Sequence, residues 1–250
     1  METLELSNLL LLVAIGVVAG VVEATAGGSG LITLPTLLLM GISPVQAIAT
    51  SKFQYAFGAI TAIGRFAKAR TIQWAPNLPF IVAALVSGAF GASALTLVDA
   101  RIVQQLVPVF LILAAIYFAF SPSFSDVKSK PRMGVQSFAL FVVPVIGFYD
   151  GFIGTGSASF LTAAFVLLRG LDARSAVATT KLVDFMSGGA ALLVLAGGGH
   201  VLIVPGLALA MGQIVGAYIG ASLVLRYGAR WVRPVTVVVT VALSLQIAFK

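Results

Sequence analysis

The stretch Ala47-Ile-Ala-Thr-Ser-Lys52 returns 129 residues later as Ala176-Val-Ala-Thr-Thr-Lys181. The frame holds without a gap beyond these boxes. Pro76 meets Pro205, Gly91-Ala-Ser93 meets Gly220-Ala-Ser222, and Ala100-Arg101 meets Ala229-Arg230. Alanine and glycine matches are cheap in this composition, but lysine, proline and arginine matches in one frame are not. The chain therefore reads as an internal duplication. Further upstream, Glu23-x-x-x-Gly27 resembles Asp150-x-x-x-Gly154 at an offset of 127, so a small indel lies between.

Both copies sit in apolar surroundings. Of the 250 residues, 60% are hydrophobic and 9% charged, against about 25% charged in an ordinary soluble domain. So few charges cannot cover a soluble globule, which excludes a soluble enzyme or a nucleic-acid-binding domain. Apolar segments fall at 6–23, 31–41, 45–66, 75–97, 102–120, 134–153, 158–168, 174–196, 201–225 and 232–249. They run continuously rather than alternating, so the spans are helices and not barrel strands. The fold expected is an all-α polytopic membrane protein of 8–10 helices. It divides into a first repeat at 1–120, a linker at 121–133 (the polar run Ser121–Arg132) and a second repeat at 134–250. Glu2 and Glu5 precede the first apolar run with no Lys or Arg, unlike a cleavable signal peptide. That run is read as a retained helix.

Segments 31–41 and 158–168 are short. About 11 residues of helix rise roughly 16–17 Å, while the hydrocarbon core is about 30 Å thick. Each either dips in and returns or completes a crossing with unwound chain. Basic residues arbitrate. If the short segments cross, Arg65, Lys68, Arg70, Lys128, Lys130, Arg132, Arg169, Arg174, Arg226, Arg230 and Arg233 share one side, leaving Arg101 and Lys250 on the other. If they re-enter, the same residues split almost evenly. The positive-inside rule selects crossing. The linker is then cytoplasmic, the termini are extracytoplasmic, and the membrane is the cell inner (plasma) membrane. Five crossings per half is odd, so the two repeats are inverted, a common plan for secondary transporters. The net charge of +7 is accounted for by these loops rather than by a nucleic-acid partner.

A glycine-rich break precedes each short segment: Ala24-Thr-Ala-Gly-Gly-Ser-Gly30 and Gly151-Phe-Ile-Gly-Thr-Gly-Ser157. Unwound backbone within a bilayer must line a cavity or be buried in protein. The N–H groups that open the next helix, with the positive end of its dipole, suit an anion. Gly28, Ser29, Gly30, Gly154, Thr155, Gly156 and Ser157 are the candidate donors there, with Ser159 beside them. Small residues also serve plain helix packing, and two equivalently placed breaks weigh toward a site. Lys52 and Lys181 lie inside apolar segments, where a lysine costs about 2.5–3.5 kcal/mol at the helix centre. They either snorkel to the interface or flank a bound anion, with Thr50, Ser51, Thr179 and Thr180 as neutral donors beside them. Glu23 and Asp150 precede the breaks and are candidates for proton binding. Asp184, three residues past Lys181, is expected to neutralise it locally. Gln54, Tyr55 and Gln213 are further polar residues that suit the lining of a cavity, a placement the sequence leaves open.

These residues carry a resemblance. Gly27-Gly-Ser-Gly-Leu-Ile-Thr-Leu-Pro35 with the box ending at Lys52, and Gly147-Phe-Tyr-Asp-Gly-Phe-Ile-Gly-Thr-Gly-Ser-Ala-Ser-Phe160 with the box ending at Lys181, resemble the two signatures of the TauE/SafE family. That family is also called the sulfite exporter or toluene sulfonate uptake permease family. The likeness covers nearly the whole chain. It departs where the family's glycine triplet reads Gly28-Ser29-Gly30, where Ala158 replaces a glycine, and where Pro44 has Ala173 in its repeat. What the resemblance implies is transport of sulfite or other small sulfur-containing anions such as organosulfonates, with the glycine breaks, Pro35 and the two Thr-Lys boxes as the matching positions.

The function expected is a secondary transporter that exports a small sulfur-containing oxyanion by alternating access, one repeat moving against the other, with proton coupling at Glu23 or Asp150. A passive anion channel is the alternative. No enzyme is expected. The chain has no cysteine and a single histidine, His200, with no visible metal partners, and no nucleotide or hydrolase motif. No cofactor is expected. The partners are the anion and the lipid bilayer, and small-residue faces permit a homodimer.

Overall fold

The computed structural model describes residues 6–72, 74–120 and 128–227. The tenth apolar segment at 232–249, Arg230, Arg233, Lys250, both termini and residues 121–127 of the linker lie outside them. The described elements are α1 (Leu6–Thr25), α2 (Gly30–Leu39), α3 (Pro44–Lys68), α4 (Leu78–Leu97), α5 (Ala100–Phe120), α6 (Val135–Phe152), α7 (Ser157–Arg169), α8 (Ala173–Gly197) and α9 (Ile203–Tyr227). Among the described residues there is no strand. A 3-10 turn, Ala75–Asn77, leads into α4, and α6 contains a π-helical turn at Phe138–Val142. Among the described residues five helices are long and apolar enough to cross a membrane: α1, α4 with its leading turn, α6, α8 and α9. α3 has 25 residues but carries Lys52, Gln54, Arg65 and Lys68.

Side-chain burial follows from a lipid solvent. Leu10, Leu11, Val82, Val86, Phe90, Leu140, Phe141, Leu193, Met211 and Val215 face outward. The polar side chains Glu23, Lys52, Asp150, Lys181 and Asp184 are buried. That is the reverse of a soluble domain and the expected order where the surroundings are hydrocarbon.

Residue pairings give the helix directions. Along α1 and α9, Gly16 meets Leu209, Gly20 meets Gln213, and Gly220 meets Val21, so the two run parallel. Along α3 and α9, Thr50 bonds Leu202 and Arg65 bonds Ser222, again parallel. α3 and α8 run oppositely. Early α3 (Ile48, Ala49) clusters with late α8 (Ala191, Leu195), and late α3 (Ala62, Phe66) with early α8 (Val177, Ala178). Gly147 meets Ser87 and Gly151 meets Gly88, so α4 and α6 are parallel. Phe80, Ala84, Phe138 and Val143 share a cluster with Ala176 and Val183 of α8, consistent with the same sense. The helices thus form two triads, α1–α3–α9 and α4–α6–α8, that run in opposite senses.

The parallel run of α1 and α3 has a consequence for the short helices. Between them the chain must return across the molecule, and α2 with its flanking unwound residues carries it back. The ten residues of α2 and thirteen of α7 rise roughly 15 and 20 Å. At one face of the bundle, residues 129–133 bond to 168–170, and late α3 lies by early α8. Arg65, Lys68, Arg70, Lys128, Lys130, Arg132, Arg169, Arg174 and Arg226 gather there, while Arg101 lies at the other end.

Glycine sets the distance between paired helices. A Cβ at Gly212 or Gly216 would collide with the carbonyl oxygens of Val13 and Val17. With Gly16, Gly20 and Gly220 they let α1 and α9 touch backbone to backbone, the contact small residues make in membranes. Gly91 and Gly151 do the same between α4 and α6. These small-residue faces are used within the chain. Each joins one sequence half to the other, so the halves are interlocked, and the expectation that one repeat moves as a body against the other does not fit this packing.

Candidate functional site

Both glycine breaks lie at the seam between the triads and touch each other. A Cβ on Gly27 would strike Ala158, and Gly30 lies against Thr155. The Ser159 hydroxyl donates to the carbonyls of Ala26 and Gly27. Gly154 has φ +84°, a left-handed conformation that a side chain disfavours. A Cβ there would also meet the Lys52 ammonium.

Each lysine of the repeated box reaches across the seam. Lys52 of α3 donates to Asp150 of α6 at 2.6 Å, and Lys181 of α8 donates to Glu23 of α1 at 2.7 Å. All four side chains are at least nine-tenths buried. Protein carboxylates hold both lysines inside the bundle. Glu23 also accepts from the backbone N–H and the hydroxyl of Ser29 at 2.9 Å. It therefore stands beside the start of α2, where an anion was expected. Asp150 accepts from Ser157 at 2.8 Å and from Ser187 at 2.7 Å.

The local pairing of Asp184 with Lys181 is corrected. Lys181 is taken by Glu23, and Asp184 instead accepts from the Tyr55 hydroxyl at 2.5 Å and lies 2.9 Å from Ser157 Oγ. Tyr55 and Asp184 occupy matching positions under the 129-residue offset. Their contact therefore lies where the two copies meet face to face. A second matched pair pins the short helices: Thr33 to Ser51 at 2.9 Å and Thr162 to Thr180 at 3.0 Å.

These groups surround a cavity of about 30 Å³, lined by Glu23, Gly27, Ser29, Gly30, Ile48, Ser51, Lys52, Tyr55, Asp150, Ile153, Gly154, Gly156, Ser157, Ala158 and Asp184. That is room for about two water molecules. Gly28, Thr50, Thr155, Thr179, Thr180 and Lys181 stand outside its wall. Thr50 accepts from the Leu202 N–H at 3.0 Å, and the Tyr149 hydroxyl donates to the Thr155 carbonyl at 2.7 Å. Tyr55 and Asp184 join the cavity wall, and Ser187 supports Asp150 from behind. The sequence offers Tyr55 as a residue that could line a cavity and Asp184 only as the partner of Lys181; Ser187 it leaves unmentioned, although a signal for it is its place one turn after Asp184. No group of three His, Cys, Asp or Glu suited to a metal occurs among the described residues.

The family model for the sulfite exporter TauE/SafE matches residues 12–247. The chain belongs to the sulfite exporter TauE/SafE family. Relatives of this TauE/SafE chain span nearly its full length. A protein named "Probable membrane transporter protein ORF9" from Sinorhizobium sp is 34% identical over 99% of this chain and 95% of its own. One named "Probable membrane transporter protein" from Haemophilus influenzae is 32% identical over 96% and 94%. "Probable membrane transporter protein YfcA" of Escherichia coli K12 is 34% identical over 94% and 87%. No solved structure matches the chain. Family and relatives together make this a multi-pass membrane transporter.

Proposed function

We propose that this TauE/SafE transporter exports a small sulfur-containing oxyanion, sulfite or an organosulfonate, by proton-coupled alternating access at the seam between the two triads. The observation that carries the reading is the pair of crossed ion pairs, Lys52–Asp150 and Lys181–Glu23. Every one of these partners joins one triad to the other. An entering anion competes with Asp150 and Glu23 for the lysines and for the Ser29 N–H, so its binding loosens the seam. The glycine contacts hold α1 to α9 and α4 to α6, so the triads are the bodies that rock, in an inverted two-repeat plan that the opposed helix directions support. The family description supports the substrate class. The cavity, smaller than a sulfonate, supports a transporter over a continuously open channel. The basic face is read as cytoplasmic in the cell inner membrane.

The test is a melting-temperature screen of the purified full chain with sulfite, sulfate, sulfoacetate, taurine and acetate, followed by flux in proteoliposomes. Sulfite or a sulfonate should raise the melting temperature and move with saturable kinetics. Removing one partner of a buried ion pair costs about 3–5 kcal/mol. Lys52→Ala is therefore measured beside Lys52→Gln combined with Asp150→Asn, which leaves no stranded charge. Both should lose sulfite flux. Unchanged saturable flux in the double variant sinks the two-lysine site, and unsaturated electrogenic current in the native chain makes it a channel.

A further inference from the structure

Three carboxyl groups face two ammonium groups in this closed seam. Glu23 is matched by Lys181 and Asp150 by Lys52. Asp184 has no cation within ion-pair distance among the described residues; its partners are two hydroxyls. The charged and titratable groups around it are Tyr55 and Lys52 from α3, Glu23 from α1, Asp150 from α6, and Lys181 on its own helix. An unpaired carboxylate enclosed at this depth is costly.

Hydrogen atoms are short as well as positive charge. Ser157 Oγ has one hydrogen and three acceptors in reach: Asp150 Oδ1 at 2.8 Å, Asp184 Oδ1 at 2.9 Å and the Gly154 carbonyl at 3.1 Å. If both carboxyls were ionised, one oxygen pair would sit at hydrogen-bond distance with no hydrogen between. A hydrogen on Asp184 Oδ1 removes the conflict. Tyr55 donates to Asp184 Oδ2, Asp184 donates to Ser157, and Ser157 donates to Asp150, which Lys52 already meets. Placing the hydrogen on Asp150 instead would cancel the charge that Lys52 pairs with.

We infer that Asp184 is the proton-carrying residue of this transporter, holding a proton between its Oδ1 and Ser157 Oγ in the closed seam. Loading adds one proton to the Asp184 carboxylate. Unloading returns it to water when the seam opens and Ser157 withdraws with its break. The proton assignment stands on geometry and charge alone; its role in coupling rests on the transport reading. The repeat copies differ at this point, phenol in one and carboxyl in the other, so the seam holds one such carrier rather than two.

Infrared difference spectroscopy of the purified full chain tests this without any substrate. The native protein should show the carbonyl stretch of a buried protonated acid at neutral pH, lost at alkaline pH. The band should vanish in Asp184→Asn, persist in Lys52→Gln combined with Asp150→Asn, which leaves Asp184 the surplus carboxyl, and shift in frequency in Asp184→Glu. Asparagine can still accept from Tyr55 and donate to Ser157, so the Asn variant is expected to keep a cooperative melt. Absence of the band in the native chain overturns the assignment, and so does its survival in Asp184→Asn. A melting temperature that rises with sodium while no band titrates would make the missing cation sodium and overturn it equally. A titrating band with no moving anion would leave Asp184 protonated and sink the transport reading instead.

Discussion

Asp172 shows how a single residue fixes the end of a helix next to the site. It is the N-cap of α8, and its carboxylate accepts from the Ser175 N–H at 3.0 Å. Partial burial pushes its carboxyl up, but the bonds from Ser175 and the nearby Lys128 ammonium outweigh this and hold it below the usual range. The Lys128 contact, at 3.9 Å with Lys128 well exposed, adds little. Asp172→Ala should lower stability by about 0.5–2 kcal/mol, read as a fall in melting temperature at neutral pH. The folded carboxyl is depressed, so its contribution is present above the unfolded value of about 3.9 and is lost as pH falls through the lower folded value. The gap between native and variant should therefore close in acid.

Residue-level legibility was uneven for a physical reason. The lysine boxes stood out because a charge in an apolar run is expensive and because it occurs twice. The partners of those lysines did not stand out. Asp150 lies 98 residues from Lys52, and Glu23 lies 158 from Lys181. Only helix packing decides which acid a lysine reaches. Asp184 was read as the mate of Lys181 because three residues along a helix is the one pairing that sequence displays. In the fold, Glu23 takes the ammonium and two hydroxyls take Asp184.

At the scale of elements, the contact between α1 and α9 is the tightest test. A methyl group at Gly216 would meet the Val17 carbonyl, with Val21 N at 2.8 Å and Gly20 Cα at 2.9 Å. All three are backbone, so no side chain can swing aside. Gly216→Ala should cost about 1–3 kcal/mol of overpacking, measured as a lower melting temperature in detergent. Gly189→Ala, where open space surrounds the added methyl, is the control and should melt as the native chain does. Helix boundaries followed the apolar segments closely. The pairing of helices did not follow sequence order, because the glycine faces that choose partners look alike from one helix to the next.

For the whole molecule, the basic face makes the orientation testable. The chain has no cysteine, so one introduced thiol reports alone. Gly197→Cys, at the exposed end of α8, should react with an impermeant maleimide added to intact cells, and Lys130→Cys should react only after lysis. The reverse pattern would place the basic face outside. The long continuous apolar runs foretold an all-helical membrane fold. Which helices share a set could not be read, since each triad draws members from both halves.

The α1–α9 contact also bears on how the protein is made. The first helix to leave the ribosome finds its backbone-to-backbone partner in a helix that begins at Ile203. Until that helix is synthesised, α1 exposes its glycine stripe to lipid, and Glu23 must wait for Lys181. Neither sequence half holds a complete triad. All four ion-pair partners have been synthesised once Lys181 emerges, so the crossed pairs can close before the α1–α9 contact, which waits for the last described helix.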